Sequence, residues 1–135
     1  KAFYEKYPEL KDSPACIVRP YFEDMSLPLN AADIAISRAG SISISELNKC
    51  ALPSILVPYP YAAADHQRFN ARDMEKAGAS LYLEDAECTA AKLVELITSI
   101  LHNPEKYQNM REVCKSLDTP DAARNIVSEI KSLAH

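Results

Sequence analysis

Short apolar runs alternate with stretches of helical periodicity along this chain. Residues 15–18, 34–37, 54–57 and 80–83 are compact, β-prone runs of the kind buried in a parallel sheet, and each precedes a helix-compatible segment. This alternation predicts βαβ units, and hence an α/β domain whose parallel sheet is flanked by helices.

The helical segments differ in quality. Residues 24–32 form a weak candidate because Pro28 interrupts them, whereas 41–49 set Ile42, Ile44 and Leu47 beside Ser45 and Glu46, with Pro53 opening the next strand. Residues 67–77 are good helix formers that stop before Gly78, a residue suited to a left-handed cap. Beyond Thr89 the pattern is helical throughout: 90–101 with Leu93, Leu96, Ile97 and Ile100 on one face, then 104–117, then 121–133. Pro104 and Pro120 sit where first-turn prolines belong.

Composition narrows the picture. A chain of 135 residues with 47% hydrophobic content fits one domain with its own core. Fifteen basic residues against nineteen acidic give −4, and no basic run supplies a nucleic-acid footprint. Cys16, Cys50, Cys88 and Cys114 are scattered without metal-ligand spacing, as expected of reduced thiols in a cytoplasmic protein. No apolar stretch has the length of a membrane span, and the first residues lack the core of a signal peptide.

Three segments carry candidate chemistry. In the first, the strand at 34–37 ends in Ser37-Arg38, turns at Gly40 and enters a helix whose opening residues are serines. Ligands of open parallel sheets bind outside the strand carboxyl ends, and the free N–H groups of Ser41, Ile42 and Ser43, with the helix dipole, favour a phosphate. Glu46, one turn further, has the wrong charge for phosphate but can accept hydrogen bonds from a ribose diol. The same Ser43…Glu46 spacing also reads as a capping box, which needs no ligand.

The second segment, Asp65-His-Gln-Arg-Phe-Asn70, follows the next strand and should open on the same rim. His66, Gln67 and Asn70 offer neutral groups that read sugar hydroxyls by direction; alternatively they begin a polar helix capped by Asp65. The third, Arg19-Pro-Tyr-Phe-Glu-Asp-Met25, is an aromatic turn that could border a flat base or simply cover the core edge. No nucleophile accompanies His66, so a hydrolytic triad is not indicated.

In this order the three segments resemble the carboxyl-terminal domain of the MurG family. The matching blocks are Pro20-Tyr-Phe-Glu-Asp-Met25 with Asn30-Ala-Ala-Asp33, Ser37-Arg-Ala-Gly40 through Ser45-Glu46, and Pro53-Ser-Ile-Leu-Val-Pro58 with Asp65-His-Gln-Arg-Phe-Asn-Ala71 and Glu75-Lys-Ala-Gly78. The resemblance implies a Rossmann-like half of a GT-B glycosyltransferase, truncated at its amino end, with 1–135 as a partial UDP-sugar-binding domain and the acceptor domain absent. It implies an inverting transferase of peptidoglycan synthesis that converts lipid I to lipid II, with UDP-N-acetylglucosamine as donor and no metal or other cofactor.

Carried over, the backbone at Phe22 meets uracil, Ser41, Ile42 and Ser43 the diphosphate, Glu46 the ribose, and Gln67 the N-acetylglucosamine hydroxyls. Ile44 and Ser45 belong to the same substrate-binding run, His66 and Asn70 are neighbours of the sugar, and Arg38 and Gly40 support the loop. The lipid-linked acceptor and the catalytic base belong to the missing domain, so none of these residues is expected to be catalytic. The full-length protein is expected at the cytoplasmic face of the bacterial inner membrane. The resemblance also admits one subunit of a split UDP-N-acetylglucosamine transferase, and a non-catalytic nucleotide-sugar-binding module is the third possibility. Two departures stand out: the family's Gly-Gly-Ser loop has no counterpart, and Ala51 replaces a glycine at a turn. An incomplete sheet would leave an edge that promotes self-association.

Overall fold

The computed structural model describes residues 2–11, 13–120 and 122–133. A short helix α1 (Ala2–Lys6) and a 3-10 turn at Pro8–Leu10 precede an irregular stretch that leads to α2 (Ser26–Ala31). The working part of the fold follows as β1 (Ala35–Ser37), α3 (Ser41–Lys49), β2 (Ser54–Leu56), α4 (His66–Ala77) and β3 (Ser80–Tyr82). Three helices complete the chain: α5 (Ala90–Leu101), α6 (Pro104–Leu117) and α7 (Ala122–Leu133). Asp121, expected to begin the last of these, lies outside the described residues.

The three strands are parallel in the order β1-β2-β3, with Ile36, Ile55 and Leu81 in register across the sheet. This is the expected α/β architecture, with each strand one residue shorter than its apolar run. The fourth expected strand, at 15–18, is not a strand: residues 14–15 form a turn, and Ile17 is 76% exposed. Pro14 and Pro20 bracket that run and lack ladder donors, and it pairs with neither open edge of the sheet.

Side chains alternate across β2 and build two cores. Leu56 packs with Ala39, Leu47, Ala71, Met74 and Cys114 on the α3/α4 side, while Ile55 and Val57 pack with Leu83, Ile100 and Met110 on the α5 side. α6 serves both: Val113 and Cys114 face the first cluster, Tyr107 and Met110 the second. On neighbouring strands Ser54 and Ser80 are register partners, and both hydroxyls are buried without a hydrogen-bond partner.

Helix ends follow local chemistry. Thr89 and Asn103 accept the N–H groups of Lys92 and Lys106, and Pro104 occupies a first-turn position, which is why α5 and α6 have their expected limits. Pro28 falls in the first turn of α2, where a missing N–H costs nothing, so the helix forms despite it but is only six residues long. α4 ends in a Schellman arrangement: Gly78 N–H bonds to Glu75 O and Ala79 N–H to Met74 O, with Gly78 at φ 87°. α3 ends in the same way through Ala51 and Leu52, but there Ala51 takes the left-handed role at φ 49°. The turn at which glycine was expected therefore does require positive φ, and alanine occupies it.

Candidate functional site

The carboxyl ends of β1 and β2 open into two loops that set the site. Gly40 is extended (φ −68°, ψ 145°) and serves as the N-cap of α3 without any side-chain cap. The first intrahelical bond runs from Ile44 N–H to Gly40 O at 3.0 Å, so the N–H groups of Ser41, Ile42 and Ser43 have no helical acceptor. A Cβ on Gly40 would meet only Ser43 Oγ, at 4.0 Å, so the space before these amides is open. The capping-box alternative fails here, because Ser43 lies inside the helix rather than at its cap. Ser45 turns its hydroxyl back onto Ser41 O at 3.0 Å.

The second loop is bound to the first by side chains of α4. Gln67 Oε1 accepts from the N–H of Ala39 (3.2 Å) and of Tyr59 (3.0 Å), and Asn70 Nδ2 donates to Ala39 O at 3.0 Å. Among the described residues the Nε2 donors of Gln67 have no partner, and one arm of Asn70 is spent on structure. The segment before α4 reaches its place through two consecutive left-handed residues, Ala64 (φ 47°) and Asp65 (φ 57°). Asp65 does cap α4 by position, but its carboxylate pairs with Arg68 at 3.3 Å instead of accepting a helix N–H.

Arg38 ties these loops to β3. Its Nη1 lies 3.3 Å from Val57 O, 3.1 Å from Pro58 O and 2.5 Å from Asp85 Oδ1, and its guanidinium packs 5.6 Å from the Tyr59 ring centre. These contacts join Arg38 to the loop after β2 and to the turn after β3. Asp85 and its neighbour Glu84 were not singled out from sequence; an acidic dipeptide just after a strand gives no signal of which arginines it will meet.

Four clefts border α3: one of about 310 Å³ lies between Ser41, Ile44 and Ser45 and the α4 residues Asn70, Asp73 and Met74, and three others follow the rest of its surface. The first of these three, about 520 Å³, lies between Gly40–Ser41 and Ala62, Ala63, His66, Gln67 and Asn70. A second of about 380 Å³ is lined by Ser41, Ile42, Ser45, Glu46 and Lys49, with Asp118 and Thr119 opposite. The third, about 360 Å³, lies between Glu46, Lys49 and the turn at Glu23, Asp24, Met25 and Ser26. Ser41 lines the first and second of the three, and Glu46 and Lys49 the second and third, so they follow one another as a trough from the start of α4, past the start of α3, to the turn that follows Phe22. Ile44 faces away from this trough, toward α4 and the core. Phe22 itself is half-buried, and only the residues after it line the trough.

A further cleft of about 380 Å³ lies at the opposite, amino end of β3, among Gly78, Ser80, Asn103 and Lys106. It is remote from both loops.

A parallel sheet whose carboxyl rim carries uncapped helix amides beside neutral amide side chains defines a Rossmann-like ligand-binding domain. The chain belongs to a family of such domains, the glycosyltransferase family 28 C-terminal domain, which matches residues 2–126. It is 38% identical, over 98% of its length, to the UDP-N-acetylglucosamine--N-acetylmuramyl-(pentapeptide) pyrophosphoryl-undecaprenol N-acetylglucosamine transferase of Desulforamulus reducens. It is 40% identical over 87% of its length to the enzyme of that name from Desulforudis audaxviator. The crystal structure of Acinetobacter baumannii MurG superposes with a TM-score of 0.80 over 95% of this chain, at 28% identity. The chain spans 38% of the Desulforamulus protein and of the Acinetobacter chain, and 32% of the Desulforudis protein. The resemblance read from the three sequence blocks is thereby established, and with it the fold class.

Proposed function

We propose that this chain is the donor-binding part of an inverting UDP-N-acetylglucosamine transferase that converts lipid I to lipid II in peptidoglycan synthesis. The observation that carries the reading is the run of adjoining clefts along α3, with uncapped amides between the Glu46 carboxylate and the Gln67 amide, whose Nε2 has no partner among the described residues. In this reading the N–H groups of Ser41, Ile42 and Ser43 receive the diphosphate, and the α3 dipole takes up charge as the sugar–phosphate bond breaks. Glu46 accepts from the ribose hydroxyls, and the backbone after Phe22 borders the base. Gln67 Nε2 donates to the sugar, with His66 and Asn70 beside it.

The charge on the departing diphosphate is met by backbone dipoles in this scheme, so catalysis is expected to proceed without a metal and to survive chelation. The acceptor, the base that deprotonates it and the contact with the cytoplasmic membrane face are assigned to the remainder of the protein, as the relatives' length supports. Titration with UDP-N-acetylglucosamine and UDP-glucose, followed by amide resonances, tests the donor assignment. Shifts at Ser41–Glu46 and Gln67, larger for the N-acetylglucosamine donor, are expected; unchanged resonances at saturating ligand would refute it.

A further inference from the structure

We propose that Glu84 and Asp85, the acidic pair at the start of the 3-10 turn (Asp85–Glu87) that follows β3, are positioning residues that set the separation between the α3 amides and the start of α4. The inference rests on the donor reading above and adds residues that lie outside the trough.

Each carboxylate takes a different arginine. Asp85 Oδ1 accepts from Arg38 Nη1, on the loop that delivers Gly40 and Ser41. Glu84 Oε2 meets Arg68 Nη2 at 3.5 Å, on the first turn of α4 beside Gln67, while Arg68 Nη1 also reaches Asp65 Oδ2 at 3.3 Å. Glu84 is itself oriented by the Tyr82 hydroxyl, which donates to its Oε1. Two adjacent residues where the chain leaves β3 thus hold both elements that line the sugar end of the trough. Neither carboxylate lines any of the three clefts.

Geometry favours positioning over stabilisation. All four side chains are 38–50% exposed, and ion pairs that wet contribute little to folding. The loops leaving β1 and β2 belong to different strands, so contacts that reach both from beyond β3 can fix their separation. Gln67 ties the two at the rim through Ala39 and Tyr59; the acidic pair supplies a second tie from beyond β3. A donor that touches both loops feels that separation, whereas a ligand held by the α3 amides alone does not.

The test compares the parent chain with Glu84→Gln, Asp85→Asn and the double variant. Without ligand, exchange at the Ala39 and Tyr59 amides should quicken about tenfold in the double variant, while Ala71 and Met74 within α4 stay unchanged. The midpoint of thermal unfolding should move by no more than about 3 °C, as exposed pairs require. Affinity for UDP should hold, and preference for UDP-N-acetylglucosamine over UDP should fall about three- to tenfold, an effect reproduced in the parent by raised salt. Unchanged exchange at Ala39 and Tyr59 overturns the proposal, as does an undiminished preference in the double variant when the parent shows one. A parent chain that binds no UDP-sugar would refute the donor reading instead, while quickened exchange would still establish the tie from β3.

Discussion

Replacing Gln67 separates two roles that the structure gives to one side chain. Its Oε1 holds the N–H of Ala39, a fully buried residue, and that of Tyr59, a residue 46% exposed. In Gln67→Ala the Ala39 amide is left buried and unpaired, costing about 1–3 kcal/mol, while the Tyr59 amide rehydrates and forfeits only about 1 kcal/mol. Freeing the glutamine rotamers returns part of this, on the order of 1 kcal/mol. The net loss is about 2 kcal/mol, or a fall of roughly 6–8 °C in the unfolding midpoint for a domain of this size. Gln67→Glu keeps an oxygen for both amides, strengthened by charge, and should melt within about 2 °C of the parent. It removes the Nε2 donors and sets a negative charge in the trough, so affinity for UDP-N-acetylglucosamine should drop more than about tenfold. Calorimetric melting of the three proteins with parallel titrations is the assay. The reasoning fails if Gln67→Ala melts with the parent, or if the two variants lose stability equally.

Gly78→Ala forces φ 87° on a residue with a Cβ, although nothing lies within 4 Å to clash; it should cost about 1 kcal/mol by urea titration, and an unchanged midpoint would contradict the strain argument. Ser54→Ala or Ser80→Ala removes a buried, unpartnered hydroxyl and should raise stability by about 1 kcal/mol, whereas a loss of that size would reveal a partner for the hydroxyl. Burial pushes the Cys114 thiol up to about 11, so at pH 8 roughly a thousandth is thiolate; iodoacetamide should label exposed Cys88 first and Cys114 only on unfolding. The Ser26 side chain and its N–H hold the Asp24 carboxyl below its ordinary value. A depressed folded value means that this stabilisation is present above the unfolded pKa and is lost as pH falls through the folded one, so the Ser26 amide resonance should titrate below the ordinary aspartate value, a midpoint at or above that value being the contrary result.

Legibility in the sequence followed the locality of the cause. α5 and α6 were readable to their ends because Thr89, Asn103 and Pro104 act within a turn of themselves. Residues 15–18 carry a strand's apolar content without pairing to either open edge of the sheet, because apolar content speaks of burial and not of pairing, and Pro14 and Pro20 flank the run. The start of α3 was readable as a phosphate-type amide cluster, yet the choice between Gly40 and Ser43 as its cap depended on backbone angles. Left-handed Ala51, Ala64 and Asp65 carry no glycine to announce them. The double acceptance by Gln67 and the grip of Glu84 and Asp85 on two arginines join residues 8 to 47 positions apart, which no local pattern encodes.

The placement of α6 bears on how this domain comes apart. With Tyr107 and Met110 in one core and Val113 and Cys114 in the other, a single helix is the shared wall of both layers. Peeling it away exposes each face of the sheet at once, so neither layer can melt alone while the other persists. Native-state hydrogen exchange should therefore report α4, α5 and β2 opening together, as one cooperative unit rather than two.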